Sequence, residues 1–151
     1  MLSAAGAGAM DLELHTDTIT VDAPGRGTLD VTTALQRIVA DSGVRDGLAQ
    51  VFLRHTSASL VISENADPDV RRDLDAFLTR LVPDGDSLYR HVAEGPDDMP
   101  AHVRAALTQT SIGVPVREGR CALGTWQALY LWEHRHAPHR RQLDVTVLGR
   151  R

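Results

Sequence analysis

A strand that runs directly into a helix start fixes the middle of this chain. Ser57 to Ser63 is short, apolar and partly β-branched, as strands are, and Asp67-Pro68-Asp69 follows almost at once. Asp67 is placed as an N-cap, Pro68 has the φ angle wanted at the first helical position, and Asp69 complements the helix dipole. Val70, Leu74, Phe77, Leu78 and Leu81 recur at helical spacing and predict the buried face of that helix, which Pro83-Asp84-Gly85 stops. A β-to-α junction this abrupt puts the residues between strand and helix on one rim of a core. His55, Thr56, Ser57, Glu64 and Asn65 stand at or near that rim.

Periodicity around the junction predicts the remaining elements. Asp11 to Val21 alternates as an extended first strand, and Pro24-Gly25-Arg26-Gly27 breaks it. Asp30 or Thr32 can cap a helix with Leu35, Ile38 and Val39 inside, ended by Gly43. Leu48 to Arg54 is a strand ahead of the junction. After it, Tyr89 and His91 lie in a short extended piece, and Asp97 or Asp98 opens a third helix through Ala101, Val103, Ala106 and Leu107. Ser111–Val116, Cys121–Trp132 and Gln142–Leu148 are strands, the first two joined by a Glu118-Gly119 turn. The order predicts an α+β sandwich of mostly antiparallel sheet.

A chain of 151 residues can bury a core without staples, and 42% hydrophobic with 24% charged residues is ordinary for a globular domain. Residues 10–151 are expected to form one domain, with 1–9 a small-residue leader. The formal charge of -4 argues against non-specific nucleic-acid binding. No apolar run approaches the roughly 18 residues of a membrane span. The single Cys121 rules out an internal disulfide and fits a cytoplasmic location.

Several polar groups stand out. His55, at a strand end, reads as a rim ligand or as a histidine bonded to backbone. A triad with Ser57 or Ser59 lacks any Gly-x-Ser-x-Gly elbow. Asp67 is explained by capping, whereas Glu64 and Asn65 are not. His91, His102 and the intervening Asp98 could hold a metal ion, although their spacing matches no short structural-zinc pattern. His134, His136 and His139 are a second metal candidate, but their place between arginines in a predicted hairpin turn favours a solvated loop. Gly124 within a predicted strand suggests a bulge, with Thr125 and Gln127 on one face and Trp126 on the other, toward the core.

In order and spacing these residues closely resemble the YjbQ-like family, also called the secondary thiamine-phosphate synthase family. The matching pieces are His55-Thr56-Ser57-Ala58, Glu64 through Val70, Tyr89 with His91, Asp98 with Ala101-His102, Gly119, Leu123 through Gln127, and Glu133. The resemblance implies a homotrimeric sandwich with pockets near subunit contacts. It also implies a transferase that joins a pyrimidine methyl diphosphate to a thiazole phosphate. On that basis His55, Glu64, Asp67 and Glu133 are expected to be catalytic. Ser57, Asn65, Thr125 and Gln127 would contact a phosphorylated small molecule, and His91, His102 and Asp98 would ligate a divalent metal, Mg²⁺ or Zn²⁺. The chain departs from the family pattern after Glu133, where His134-Arg135-His136 stands, and after Asp98, where Met99-Pro100 stands. A departing diphosphate needs cations, and with no lysine the candidates are Arg54, Arg71, Arg117 and Arg140. Two other readings are a metal-dependent hydrolase of a small metabolite and a trimeric metabolite-binding module without turnover.

Overall fold

The computed structural model of the protein describes residues 11–151. The expected leader, 1–9, lies outside the described residues. The elements are β1 (Glu13–Ala23), β2 (Gly27–Asp30), α1 (Thr32–Ser42), β3 (Asp46–Leu53), β4 (Ala58–Glu64), α2 (Pro68–Leu81), α3 (Asp98–Leu107), β5 (Ser111–Arg117), β6 (Arg120–Cys121), β7 (Gln127–Glu133) and β8 (His139–Arg150). The α+β class and the antiparallel pairing are as predicted. One sheet has the order β1-β8-β3-β5-β6 and the other β2-β7-β4.

Strand alternation decides what the larger sheet buries. On β8, Leu143, Val145 and Val147 point inward, joined by Ala49, Val51 and Leu53 of β3 and Ile112, Val114 and Val116 of β5. This face packs on Leu35, Ile38 and Val39 of α1 and on Leu60, Leu129 and Leu131 of the smaller sheet, forming one apolar cluster. Gly47 and Gly149 face each other in the ladder, where an added Cβ at Gly47 would lie 2.1 Å from the Leu148 carbonyl oxygen. Backbone contact that close admits no side chain.

Four local expectations change. Gly27 begins a short strand, β2, which pairs with β7 and not with β1. The expected strand from Cys121 to Trp132 divides, because the chain crosses from the larger sheet (β6) to the smaller one (β7) through residues 122–126. Gly124 lies in that crossing, its N–H donating to Gln127 Oε1 at 2.8 Å. It is therefore no strand bulge, and Trp126 is 63% exposed and not core. Tyr89 and His91 lie in irregular chain. On α2 only Leu78 is buried, while Leu74, Phe77 and Leu81 are exposed. The helix is held to the smaller sheet through Arg71, which reaches the Glu64 carbonyl, and Asp75, which accepts from Trp132, leaving Leu74, Phe77 and Leu81 uncovered.

The start of α2 follows the sequence, whereas the cap position of α1 falls on Val31, which makes no side-chain cap. Asp67 Oδ1 accepts the Asp69 N–H at 2.9 Å, with Pro68 in the first turn. α1 begins at Thr32, and Asp30 Oδ1 accepts the Thr32 N–H at 2.8 Å. Thr32 Oγ1 in turn accepts the Leu129 N–H at 2.9 Å, tying α1 to β7.

Candidate metal and ligand site

The smaller sheet separates the predicted rim into two ends. β4 runs from Ala58, opposite Glu133, to Glu64, opposite Gln127. Seven strand residues put these ends about 20 Å apart. The stretch from His55 to Asp69 thus does not share one rim within a protomer.

The far end is a structural lock. Glu64 Oε2 accepts the Asp67 N–H at 2.8 Å. Asn65 donates to the Thr125 carbonyl at 3.1 Å, and its own N–H donates to the Trp126 carbonyl at 3.1 Å. Gln127 closes the Gly124 turn. Each of Glu64, Asn65, Asp67 and Gln127 is thereby used in shaping the β4–α2 junction and the crossing loop. Thr125 offers its backbone carbonyl there, and its side chain is exposed.

The near end holds a buried ion pair. Arg141 donates to both Glu133 oxygens at 2.6 Å and to Ser57 Oγ at 2.9 Å. Both charged side chains are almost fully buried. Glu133 also accepts the Arg135 N–H at 3.0 Å. Ser57 and Glu133 therefore brace the site from behind, and neither presents a free polar atom to a substrate. Ser59 Oγ bonds His134 Nε2 at 2.8 Å, the nearest thing to a Ser–His pair. His134 is fully buried, and its Nδ1 has no partner among the described residues, so the pair lacks an acid and access. Burial, with Arg104, Arg26 and Arg141 nearby, pushes this imidazole down to about 3. The loop expected to be solvated thus contributes a neutral core histidine.

Beside the ion pair stands the constellation that the sequence grouped. Asp98, in the first turn of α3, is 1% exposed. His102 follows one helical turn later, on the same face. His91 arrives from the long irregular segment between α2 and α3. Asp98 Oδ2 lies 2.7 Å from His91 Nε2 and 3.1 Å from His102 Nε2. One potential ligand atom from each residue falls within 4.8 Å of the others. Arg135 donates to Asp98 Oδ1 at 2.6 Å, to Asp97 at 3.2 Å and to the Glu94 carbonyl at 3.0 Å. Burial by itself would raise the Asp98 carboxyl, but His91, His102 and Arg135 outweigh it and hold the group below the usual carboxylate range. Arg135 fixes the irregular segment through Glu94, and Arg26 and His136 fix it through Asp84, at 2.9 and 3.0 Å.

His102 Nδ1 lies 2.8 Å from the Thr56 carbonyl oxygen and can only donate to it. In a neutral ring that choice leaves Nε2 as a lone pair, and the lone pair faces a carboxylate oxygen. Two acceptors at 3.1 Å repel unless a cation lies between or beside them. An imidazole whose outer N–H is spent on a backbone carbonyl is the usual second shell of a metal-binding histidine.

The cluster separates two cavities. One, of about 990 Å³, is lined by Arg54, His55, Thr56 and His102, with Phe52 and Ala106 as apolar wall. The other, of about 370 Å³, is lined by Tyr89, His91 and Met99. His55 Nε2 accepts the Gln142 N–H at 2.8 Å. Burial and the neighbouring Arg141 lower its basicity, so it is neutral near pH 7.

Sequence reasoning assigns no role to Arg135 or Arg141. Arg141 carried a usable signal, since it is in phase with the inward-facing Leu143, Val145 and Val147. A charged residue at such a position must be buried and paired. Nothing comparable marked Arg135, whose partners come from residues 94–98.

The fold and this arrangement define an α+β protein of two antiparallel sheets with a two-histidine, one-carboxylate cluster at one rim. The chain belongs to the UPF0047 YjbQ-like family, whose model matches residues 17–150. It is 50% identical over 135 residues to a UPF0047 protein of Synechocystis, covering 89% of this chain and 92% of that one. It is 43% identical to the UPF0047 protein YjbQ of Escherichia coli O157:H7, covering 87% of this chain and 96% of that one. Among solved structures, a protein of unknown function from Sulfolobus solfataricus superposes with a TM-score of 0.85 at 26% identity, covering 92% and 99% of the two chains. A hypothetical protein from Aeropyrum pernix gives 0.81 at 30% identity, covering 89% and 98%.

These relatives correct the expected activity. The family, the Synechocystis protein and YjbQ carry only the UPF0047 designation, which names no thiamine-phosphate synthase activity. The transferase assignment is therefore withdrawn. Among the described residues, no helix is long and apolar enough to cross a membrane.

Proposed function

We propose that His91, Asp98 and His102 hold one divalent cation, and that the protein is a metal-dependent hydrolase of a small phosphorylated or acylated metabolite held in the larger cavity. The observation that carries the reading is the pairing of His102 with Thr56 and Asp98. A protonated His102 would satisfy those two contacts alone. With His91 Nε2 at 2.7 Å from the same oxygen, all three groups converge within the span that one cation would occupy.

Two imidazole nitrogens and one carboxylate oxygen favour zinc or a similar transition ion over Mg²⁺, which prefers oxygen ligands. Such an ion, when bound, supplies Lewis acidity and lowers the pKa of water. Asp98 would bring the negative charge, with Arg135 holding its second oxygen. Arg141 and Glu133 fix the strand end whose Thr56 carbonyl orients His102. His102 is the member of the cluster that lines the larger cavity, so a cation held there would stand at the edge of the substrate space. The test compares metal-loaded and chelated protein on small phosphate monoesters and acyl esters. Metal-dependent release that Asp98→Ala abolishes supports the reading, and equal rates with and without metal contradict it.

We further infer that the protein is a homotrimer. A closed ring of three needs two different complementary surfaces on each copy. One candidate is the outer face of the larger sheet, where Leu14, Leu148 and Leu48 form one register row and are all exposed. The other is the uncovered stripe of Leu74, Phe77 and Leu81 on α2. Exposed apolar groupings of this kind mark association surfaces.

A further inference from the structure

The larger cavity has a wall of unusual uniformity. Its polar lining comes from Arg54, His55, Thr56, His102, Thr108 and Thr110, and among the described residues no carboxylate lines it. Arg54 reaches the cavity while bonded to Asp144 at 2.9 Å, so part of its charge is already offset.

His55 is the group whose chemistry is most narrowly set. Its Nε2 accepts the Gln142 backbone N–H. The neutral ring must therefore carry its proton on Nδ1. Nδ1 has no hydrogen-bond partner among the described residues, and it is not one of the buried polar atoms left unpaired. It is therefore reachable from outside, on a side chain that lines the cavity. The arrangement cannot easily invert, because an Nε2–H would point at another N–H. Gln142 is itself held in place, since the preceding residue, Arg141, is clamped by both Glu133 oxygens. A histidine fixed in this way donates a hydrogen bond and is not poised to accept a proton. His55, expected from the resemblance to be catalytic, has the geometry of a hydrogen-bond donor.

We propose that the larger cavity binds a small organic anion, and that His55 Nδ1–H recognises an oxygen of its carboxylate or phosphoryl group. Arg54 and Thr110 supply further donors, and Phe52 and Ala106 cover the apolar body. The ligand class deepens the hydrolase reading, which it takes as its frame, but the recognition step needs no metal. The two can therefore fail separately.

The experiment uses the full chain, freed of metal by chelation, and titrates it by calorimetry with phenyl phosphate, benzoate and benzyl alcohol. Saturable binding of at least one anion at millimolar concentration is expected, with the alcohol at least about tenfold weaker, as for a charge-assisted hydrogen bond. Whichever anion binds tighter identifies the phosphoryl or the carboxylate source. His55→Ala should weaken the anion about tenfold or more and leave the alcohol unchanged. His55→Gln, which can accept from Gln142 and still donate, should stay within a few fold of the native protein. Nitrogen chemical shifts of the native imidazole supply a readout that needs no variant, and the Nδ1–H tautomer is expected. Equal binding of anion and alcohol, no binding of either anion, unchanged anion affinity in His55→Ala, or an Nε2–H tautomer would each overturn the proposal.

Discussion

His102 spends its Nδ1 proton on the Thr56 carbonyl at 2.8 Å while its Nε2 stands 3.1 Å from Asp98 Oδ2. One carbonyl thus sets the tautomer of a side chain from another element. Thr56 is the residue before Ser57, whose hydroxyl Arg141 holds. Strand packing and site chemistry are therefore linked through a few hydrogen bonds, and disturbing the ion pair should be felt in both.

The Glu133–Arg141 pair has almost no exposure, so breaking it strands a buried charge. Glu133→Gln and Arg141→Met are each expected to cost about 3–5 kcal/mol of unfolding free energy, measured by urea denaturation. The double variant should cost less than the sum of the two, because no unpaired charge is left. Additive losses would show that the two side chains act independently.

His134 should make stability depend on pH. Its unfolded ring takes up a proton near pH 6.5, whereas the folded ring stays neutral down to about 3. The unfolded state therefore binds the extra proton between those values. Stability contributed by this group is present above 6.5 and falls as pH drops through the window, by about 1.4 kcal/mol per unit. His134→Gln can keep a bond to Ser59 and should flatten the slope by one proton. An unchanged slope in chemical denaturation from pH 7 to 5 would count against a neutral buried His134.

The two ends of the smaller sheet should respond separately. Asn65→Ala removes the bond to Thr125 and is expected to lower stability by about 1 kcal/mol. It should leave metal affinity unchanged, because the cluster sits at the opposite end of β4. A loss of metal affinity comparable with that of a His102 variant would place Asn65 at the same site, across a subunit contact.

Association can be read from light scattering. A mass of three chains is expected for the native protein. Leu48→Arg together with Leu148→Arg, on adjacent strands of one register row, should give a folded monomer, since neither side chain belongs to the core. A native monomer at micromolar concentration would contradict the trimer.

Much of this architecture was legible in the sequence where short-range rules govern it. The Asp67-Pro68-Asp69 start, the alternation on β5 and β8, and the i, i+4 pairing of Asp98 with His102 follow from backbone geometry alone. Long-range placement was not legible. Nothing in the Glu64–Asn65 run shows that strand length would carry it about 20 Å from His55. Gly124 in an apolar run has the same local pattern whether the strand bulges or the chain changes sheets. Leu74, Phe77 and Leu81 show helical periodicity whether a partner chain or the protomer's own core covers them. Arg141 sits in a basic run that looks solvated until the β8 alternation is extended back to it, and His134 continues the buried run of β7.

Zinc titration of the chelated protein by calorimetry, with metal content measured after gel filtration, tests the central claim most directly. One ion retained per chain is expected in the native protein, with proton release on binding. Asp98→Ala and His102→Ala should each lose at least about tenfold in affinity, with folding verified by circular dichroism. Absence of stoichiometric zinc in the native protein, or retention of it after both substitutions, would contradict the account.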